Sequence, residues 1–226
     1  MKCSSCAEVI RPVVVVDIDG TLADYHNHFV HFAEEYSGQI LPLVYGGGQE
    51  FSEYLQLEKS FYREMKMAYR QGGMKRSMPI FFGADEFMWE VKGLDVEIWI
   101  ATTRPWQRLD NIDPDTRHWL KRYHIPYDYM IYGDQKYSEL LQRVDNNRIL
   151  AVVEDQLEQC ELANSALGDS GVGGRVWQPE RSHNRNEQWE NYFETFDQML
   201  SVIKARLRWW DDISMYGRTR EERHAT

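Results

Sequence analysis

The order of strand-like and helix-like segments constrains the fold of this chain more than any other feature. Short runs rich in Val, Ile and aromatic residues occur at 13–17, 96–102, 127–132, 148–153 and 174–178. Segments with helical periodicity, such as DPDTRHWLKRYHI and DQLEQCELANSALG, lie between successive runs. Parallel strands need crossover connections, which are usually helices. The alternation therefore predicts an α/β fold with a doubly wound, Rossmann-like parallel sheet.

The first of these runs is VVVVDIDGTLAD, in which Asp17 and Asp19 directly follow four valines. A strand that is buried on both faces has a continuous apolar sequence rather than an alternating one. The four valines therefore predict a central strand, covered by helices on both faces. This burial fixes the carboxyl end of the strand, where the two aspartates lie.

The connection between the first two strands, residues 18–95, is much longer than the dozen or so residues that a crossover needs. Its helical patterns are HNHFVHFAEEYSG, FSEYLQLEKSFYREMKMAYRQGG and GADEFMWEVKGL, and LPLVYGGGQ forms a glycine-rich joint after the first. We therefore predict a mostly helical insertion after the first strand, which is called the cap below. The predicted organisation is an N-terminal extension at 1–11, an α/β core at 12–24 and 91–185, the cap at 25–90, and a C-terminal helix and tail at 186–226.

The end of the chain has its own pattern. A polar loop, PERSHNRN, precedes EQWENYFETFDQMLSVIKARLRWW, whose helical periodicity predicts a helix that packs on the sheet. The final GRTREERHAT is predicted to be a solvated tail.

Charge and hydropathy disfavour several classes of partner. The 26 Lys and Arg residues are outnumbered by 36 Asp and Glu residues, and the formal net charge of −10 disfavours extended nucleic acid and anionic membranes. No apolar run reaches the roughly 20 residues of a membrane span, and MKCSSCAEVIRP lacks the apolar core of a secretory signal. We expect a cytoplasmic protein without a membrane partner. The sequence leaves the oligomeric state open.

Three cysteines do not make a disulfide framework of the secreted kind. Cys3 and Cys6 form a CxxC, but no second CxxC or HxxxH supplies two further ligands for zinc. The pair is either a metal or redox site or part of a frayed terminal extension.

Polar side chains follow the carboxyl ends of the predicted strands, where open parallel sheets bind ligands. Each has an ordinary structural alternative, because aspartates cap turns, threonines satisfy backbone groups and lysines are usually solvated. Together and in chain order they favour a site. The candidates are Asp17, Asp19, Thr102, Thr103, Arg104, Lys136, Glu154 and Asp155.

Carboxylates brought together from two strand ends repel each other unless a cation lies between them, and hard oxygen ligands suit Mg²⁺. A lysine and threonine hydroxyls beside that metal are donors for an anion. Metal, lysine and hydroxyl together predict a site for phosphoryl chemistry. The carboxylates that could hold this metal are among Asp17, Asp19, Glu154 and Asp155.

These residues resemble a known family. DIDGTLAD, IATTR, the lysine of YGDQKYSEL, and VVEDQ are similar, in order, to the four motifs of the haloacid dehalogenase (HAD) superfamily. The resemblance covers roughly residues 12–180. It implies a HAD-like core, Mg²⁺ as cofactor and aspartyl-phosphate chemistry.

The resemblance also implies a role for each matching residue. Asp17 is the expected nucleophile, and Asp19 is the expected general acid and base, with its backbone carbonyl on the metal. Thr102 holds the transferring phosphoryl group, Lys136 neutralises it, and Asp155 anchors Mg²⁺. Dehalogenases lack an acid at the position of Asp19, because a halide leaves without a proton. Asp19 therefore favours a phosphatase.

Thr103 and Arg104 follow at the same strand end as Thr102 and are expected to bind substrate. The fourth motif departs from the common Asp-Asp pair, because Glu154 precedes Asp155. The metal ligands that the resemblance implies are Asp17, Asp19 and Asp155, and Glu154 either binds the metal, directly or through water, or only orients its neighbours.

Within the superfamily, the order of DIDGTLADYHNHFV, MPIFFGADEFMWEVKGLDVEIWIATTRPW and TRHWLKRYHIPYDYMIYGDQK resembles that of 5'(3')-deoxyribonucleotidases. This resemblance implies a small phosphorylated substrate, specifically a nucleoside monophosphate. The aromatic residues of the cap provide either a stacking wall for a base or only the core of the cap. They include Tyr25, Phe29, Phe32, Tyr62 and Trp89. A cationic cluster, Lys66, Arg70, Lys75 and Arg76, is expected to be mainly a solvated face.

Two other functions stay open. TTRPW and DTRHWL also resemble the phosphatase half of polynucleotide kinase-phosphatases, in which case Arg104 would hold the phosphate of a nucleic-acid 3' end. The acidic charge and the closing cap disfavour this alternative. A non-catalytic protein that uses the fold for binding is disfavoured by the intact set of motif residues, above all by Asp19.

Overall fold

Among the residues that the structure describes, six parallel strands form one sheet in the order β3-β2-β1-β4-β5-β6. The structure is a computed structural model that describes residues 10–43, 51–105, 107–168, 174–186 and 189–224, with side chains to residue 212. The strands are β1 Val13–Val16, β2 Glu97–Thr102, β3 Tyr129–Tyr132, β4 Ile149–Val153, β5 Val176–Pro179 and β6 Tyr192–Phe193. The predicted α/β fold with a Rossmann-like parallel sheet is confirmed.

Helices connect the strands. They are α1 Tyr25–Ser37, α2 Phe51–Tyr54, α3 Lys59–Gln71, α4 Ala84–Lys92, α5 Ile112–Arg122, α6 Lys136–Leu141, α7 Leu157–Leu167 and α8 Phe196–His224, with 3-10 turns at Met74–Arg76 and Asn146–Arg148. The pattern at 51–73 predicted one helix, but it is divided into α2 and α3, with Gln56 at a positive φ of 52° between them. The glycine-rich joint extends from 44 to 49 outside the described residues.

The four valines of β1 form the centre of the molecule. All four are fully buried, with β2 and β4 paired on either side. Val14 and Val16 pack into a core with α4 and α8, whereas Val13 and Val15 pack into a second core with α6 and α7. A strand without an exposed face can place polar side chains only at its ends, and Asp17 and Asp19 follow its carboxyl end.

The helical insertion between β1 and α4 has a small core of its own. Phe29, Met65 and Tyr69 are fully buried there, and Tyr25, Phe32 and Tyr62 pack against them. Trp89 lies on α4 and is 56% exposed, away from this cluster. Most of the aromatic residues predicted for the cap therefore stabilise the insertion itself. The cap and core boundaries remain a prediction.

The segment before α8 differs from the prediction. A helix was predicted from Glu187, but Tyr192 and Phe193 extend the sheet as β6, and α8 begins at Phe196. A capping box explains this start, because Gln198 N–H donates to Thr195 Oγ1 and Gln198 Oε1 accepts from Thr195 N–H. The backbone continues as helix to His224, so the predicted tail is helical over most of its length. In the described part of the chain, no helix combines the length and the apolar character needed to span a membrane.

Candidate active site

The loop after β1 carries both predicted aspartates at the carboxyl edge of the sheet. Asp17 N–H donates to the Val153 carbonyl of β4, which continues the pairing of the two strands for one residue. Gly20 then has a φ of +90°, which favours glycine. A Cβ at this position would lie 2.0 Å from Asp155 Oδ2, so the loop and the end of β4 are in direct contact.

Lys136 joins Asp17 to Glu154. The lysine is fully buried at the start of α6, and its Nζ donates to Asp17 Oδ1 at 3.0 Å, to Glu154 Oε2 at 2.5 Å and to the Ala101 carbonyl at 3.2 Å. The Tyr137 hydroxyl also donates to Glu154 Oε2 at 2.7 Å. Residues from three strand ends therefore meet around one ammonium group. Glu154 is held by Lys136 and Tyr137, as an orienting group would be.

Burial governs the protonation of this cluster. It raises the pKa of Asp17 to about 7, opposed by Lys136 and assisted by the negative charges of Glu154 and Asp19. Burial also raises the pKa of Glu154, against the effect of Lys136. For Lys136, burial opposes the charged form, but the two carboxylates outweigh it and raise its pKa. Lys136 is therefore a permanent cation between carboxylates that repel each other.

Asp19 is surrounded by cations rather than by carboxylates. Arg104 donates through Nε and Nη2 to the two Asp19 oxygens, at 3.1 and 2.5 Å, and through Nη1 to Thr116 Oγ1 at 2.8 Å. Lys75 Nζ also forms an ion pair with Asp19 Oδ2. Although burial favours the neutral acid, Arg104 and Lys75 hold the pKa of Asp19 well below its usual range. Asp19 is ionised in this arrangement.

The structure contradicts the sequence-based expectation for Lys75. The sequence predicts that Lys75 belongs to a solvated cationic face. However, the residue is 4% exposed, and its Nζ lies 3.9 Å from the centre of the Tyr25 ring. Burial lowers its pKa to about 7, although Asp19 opposes this shift. Gly73, at a φ of 71°, turns the chain after α3 so that the 3-10 turn returns to the core. The sequence contains no local signal for this contact, because the partner lies in the loop after β1.

Asp155 lies at the end of β4 and is completely buried. Its Oδ1 accepts from Thr21 Oγ1 at 3.3 Å, and its Oδ2 accepts from His183 Nε2 at 2.7 Å. Asn184 Nδ2 donates to the Asp155 carbonyl at 2.9 Å. The His183 ring stacks on that of His26 in α1, with centroids 3.8 Å apart. The sequence predicted only a polar loop at 179–186. It contains no local signal for these contacts, because they join segments that are distant in the chain.

The second-strand candidates differ in their surroundings. Thr102 ends β2, is 1% exposed and follows Ala101, whose carbonyl accepts from Lys136. Thr103 is half-buried, and among the described residues no hydrogen bond joins its side chain to the carboxylates. Arg104 reaches Asp19. The strand therefore delivers Thr102 and Arg104 to the site more directly than Thr103.

The donor set fits a divalent cation. Asp17, Glu154 and Asp155 each place a carboxylate oxygen within 4.8 Å of the others, and all three are buried. Hard oxygen donors of this kind suit Mg²⁺. Their burial beside the single ammonium of Lys136 leaves negative charge that a metal would compensate.

A cleft of about 630 Å³ lies between the insertion and the end of β4. The core contributes Asp155 and His183 to its wall. The insertion contributes Tyr25, His26, Phe51, Tyr54, Tyr62 and Lys66. Phe29 and Tyr69 therefore lie inside the core of the insertion, whereas Tyr25, Phe51 and Tyr62 both pack against that core and line the cleft.

The sequence matches no protein-family model and no curated protein. Solved structures share the fold. A putative β-phosphoglucomutase from Thermotoga maritima is 20% identical, with a TM-score of 0.52 over 86% of this chain and 99% of that one. CbbY from Rhodobacter sphaeroides in complex with phosphate is 16% identical, with a TM-score of 0.55 over 86% and 100% of the two chains.

A HAD family hydrolase from Deinococcus radiodurans R1 with bound phosphate and sodium is 13% identical, with a TM-score of 0.59 over 87% of this chain and 97% of that one. At these identities, the likeness shows a common fold.

Proposed function

We propose that the chain is a Mg²⁺-dependent phosphomonoester hydrolase of the HAD superfamily that acts through an aspartyl-phosphate on Asp17. The observation that carries this proposal is the buried Asp17–Lys136–Glu154 cluster at the carboxyl ends of β1 and β4, with Asp155 beside it. Nucleophile, charge-neutralising lysine and metal-binding carboxylates are the groups that phosphoryl transfer requires. The fold of the solved neighbours supports the same assignment.

The reaction would proceed in two steps. An Asp17 oxygen forms a bond to phosphorus while the bond to the ester oxygen breaks, and Asp19 gives a proton to the departing alkoxide. Water then attacks the phosphoaspartate, Asp19 accepts its proton, and the Asp17–phosphorus bond breaks to release phosphate. Lys136 holds Asp17 in place and offsets the negative charge that develops. Bound Mg²⁺ would supply further stabilisation of that charge, through Asp17, Asp155 and the Asp19 carbonyl.

Asp19 needs a proton for the first step, yet Arg104 and Lys75 keep it ionised in the structure. A phosphate dianion offers these two cations another partner of higher charge. Their movement from Asp19 toward the phosphate would raise the pKa of Asp19. We propose that Arg104, with Lys75, binds the phosphoryl group, and that Thr102 and Thr103 donate to it from the end of β2.

For the substrate we propose a nucleoside monophosphate. The cleft beside Asp155 supports this choice, because Tyr25, Phe51 and Tyr62 give it an aromatic wall on which a base can stack. A sugar phosphate is the second candidate. One solved neighbour is a CbbY variant in complex with xylulose-(1,5)-bisphosphate, 16% identical to this chain.

Phosphate release from a panel of substrates, with Mg²⁺ or with EDTA, tests the proposal. The panel contains nucleoside monophosphates, sugar phosphates and 3'-phosphorylated oligonucleotides. We expect Mg²⁺-dependent turnover, fastest for a nucleoside monophosphate. Full activity in EDTA, or no activity on any ester, would refute the function, and preference for an oligonucleotide would favour the nucleic-acid end-repair alternative.

Asp17→Asn, with Asp211→Asn as a control on an exposed part of α8, separates catalysis from binding. We expect the first variant to lose turnover and the second to keep it. A wild-type protein that binds nucleotides without hydrolysing them would instead support the non-catalytic alternative.

A further inference from the structure

We propose that His183 is a positioning residue for the metal ligand Asp155, and that His26 of the helical insertion holds His183 in place. This inference rests on the proposed function, because it assigns Mg²⁺ to Asp155. It adds two residues that belong to none of the four sequence motifs and connects the position of α1 to the affinity for the metal.

Two side chains hold the carboxylate of Asp155 in place. Both of its side-chain oxygens accept hydrogen bonds, from Thr21 and from His183, and the shorter bond, 2.7 Å, is to His183 Nε2. The Asp155 side chain is 0% exposed and that of His183 is 11% exposed, so water has little access to replace the imidazole. A hydrogen-bonded neighbour of this kind fixes the orientation of a ligand carboxylate and is worth about 10- to 100-fold in metal affinity.

The ring of His183 is in turn stacked on the ring of His26. The His26 and His183 rings are inclined by only 22°, with their centroids 3.8 Å apart. Phe51 of α2 packs against His26 in a T-shaped arrangement with ring centroids 4.8 Å apart, so a second residue of the insertion contacts this ring. His183 itself lies in the loop after β5. The stack is therefore a contact between the insertion and the edge of the sheet. His26 contacts His183, and His183 contacts Asp155.

The same rings have an alternative use as metal ligands. Ligand atoms of His26, Asp155 and His183 lie within 4.8 Å of one another. However, the lone pairs of an imidazole lie in the plane of its ring, and nearly parallel stacked rings direct them along separate planes. The arrangement therefore favours a hydrogen-bonded stack over direct ligation by both histidines.

The experiment measures Mg²⁺ binding to the full-length protein by calorimetry without substrate. The variants are His183→Ala, His183→Gln and His26→Ala, with His31→Ala as the control on the exposed face of α1, where this side chain is 80% exposed. We expect His183→Ala to weaken Mg²⁺ binding about 10- to 100-fold. His183→Gln, which keeps an N–H donor, should recover part of the loss, and His26→Ala should weaken binding about two- to tenfold. His31→Ala should bind as the wild type does.

Thermal unfolding in EDTA checks that each variant folds, and where His183→Ala does not, His183→Gln and His26→Ala decide. Unchanged Mg²⁺ affinity in the folded histidine variants, in a wild type that binds Mg²⁺ and hydrolyses phosphomonoesters, would overturn the positioning role alone. A wild type that neither binds Mg²⁺ nor hydrolyses any phosphomonoester would overturn both proposals.

Discussion

Asp17 combines two demands that conflict in a folded protein. It is buried, because it directly follows the central strand, and in the proposed reaction it must carry a charge to act as a nucleophile. Burial raises its pKa to about 7, and Lys136 only partly opposes this shift. The proposed nucleophile is therefore held in a state that costs folding free energy near neutral pH.

This cost predicts a pH dependence of stability. A carboxyl group whose pKa is higher in the folded chain takes up a proton on folding, so its stabilising contribution is complete below the ordinary pKa of 3.8 and is lost as the pH rises to about 7. In EDTA, Asp17→Asn should gain stability relative to the wild type between pH 5 and pH 8, by roughly 1–4 kcal/mol. Urea unfolding at the two pH values measures this change. An identical difference at both would show that Asp17 does not titrate in this range.

The burial of Lys75 beside Asp19 leads to a second prediction, which concerns catalytic activity. We expect Lys75→Met to lower kcat/KM by about tenfold or more, because a buried cation beside Asp19 is lost from the proposed phosphoryl site. Lys75→Arg should retain part of the activity. Lys121→Met, on an exposed position of α5, is the control. Steady-state kinetics in which Lys75→Met matches this control would mean that Lys75 only neutralises Asp19.

In the loop after β1, both the backbone conformation of Gly20 and its close contact with Asp155 require a residue without a side chain. Gly20 has a φ of +90°, and its missing side chain makes room for Asp155. We expect Gly20→Ala to displace Asp155, to weaken Mg²⁺ binding at least about tenfold and to lower stability by about 1–3 kcal/mol. Calorimetry and thermal unfolding measure the two effects. Gly168→Ala serves as a matched control, because Gly168 also has a positive φ but meets no atom within 4 Å.

The start of α8 gives a prediction that is independent of the site. Thr195 Oγ1 accepts from Gln198 N–H at 3.4 Å, as the N-cap of a helix does. Thr195→Ala should lower the free energy of unfolding by about 1 kcal/mol, because a helix N–H loses its partner. Thr195→Ser should preserve most of it. Equal stability of the alanine and serine variants in urea unfolding would show that this cap contributes nothing.

The elements differ in how well the sequence alone could predict them. β1, β2 and β4 were predictable because they are continuous apolar runs, and continuous burial is what produces such runs. β6 has only two residues, too few for any periodicity, and it pairs through backbone groups: Glu180 N–H donates to the Phe193 carbonyl. The start of α8 had a usable signal in Thr195 and Gln198, which the stronger helical pattern around them obscured.

The residues of the candidate site also differ in how well the sequence alone could predict their positions. Asp17, Lys136 and Asp155 follow strands, and their meeting at one edge of the sheet is a consequence of parallel topology. Lys75 and His183 come from irregular segments far away in the chain. Their positions depend on how the insertion and the loop after β5 pack, which no local pattern encodes.

The molecule as a whole is acidic, and its buried site is acidic as well. Within the part of the chain that the structure describes, Asp17, Asp19, Glu154 and Asp155 meet three buried cations, Lys75, Arg104 and Lys136. A divalent cation that binds the folded chain alone offsets this imbalance and shifts the unfolding equilibrium toward the native state. Mg²⁺ should therefore stabilise the protein even in the absence of substrate.

The size of this stabilisation can be predicted. At a Mg²⁺ concentration about 100 times the dissociation constant, linkage adds about 2.7 kcal/mol, which for a chain of 226 residues corresponds to a rise in Tm of about 5–10 °C. Differential scanning calorimetry with Mg²⁺ and with NaCl of equal ionic strength separates specific binding from screening of the net charge of −10. Asp155→Asn should lose most of the Mg²⁺ effect and none of the NaCl effect. If Mg²⁺ raises Tm equally in the wild type and in Asp155→Asn, the cation acts on the surface charge, and the buried carboxylates do not bind it.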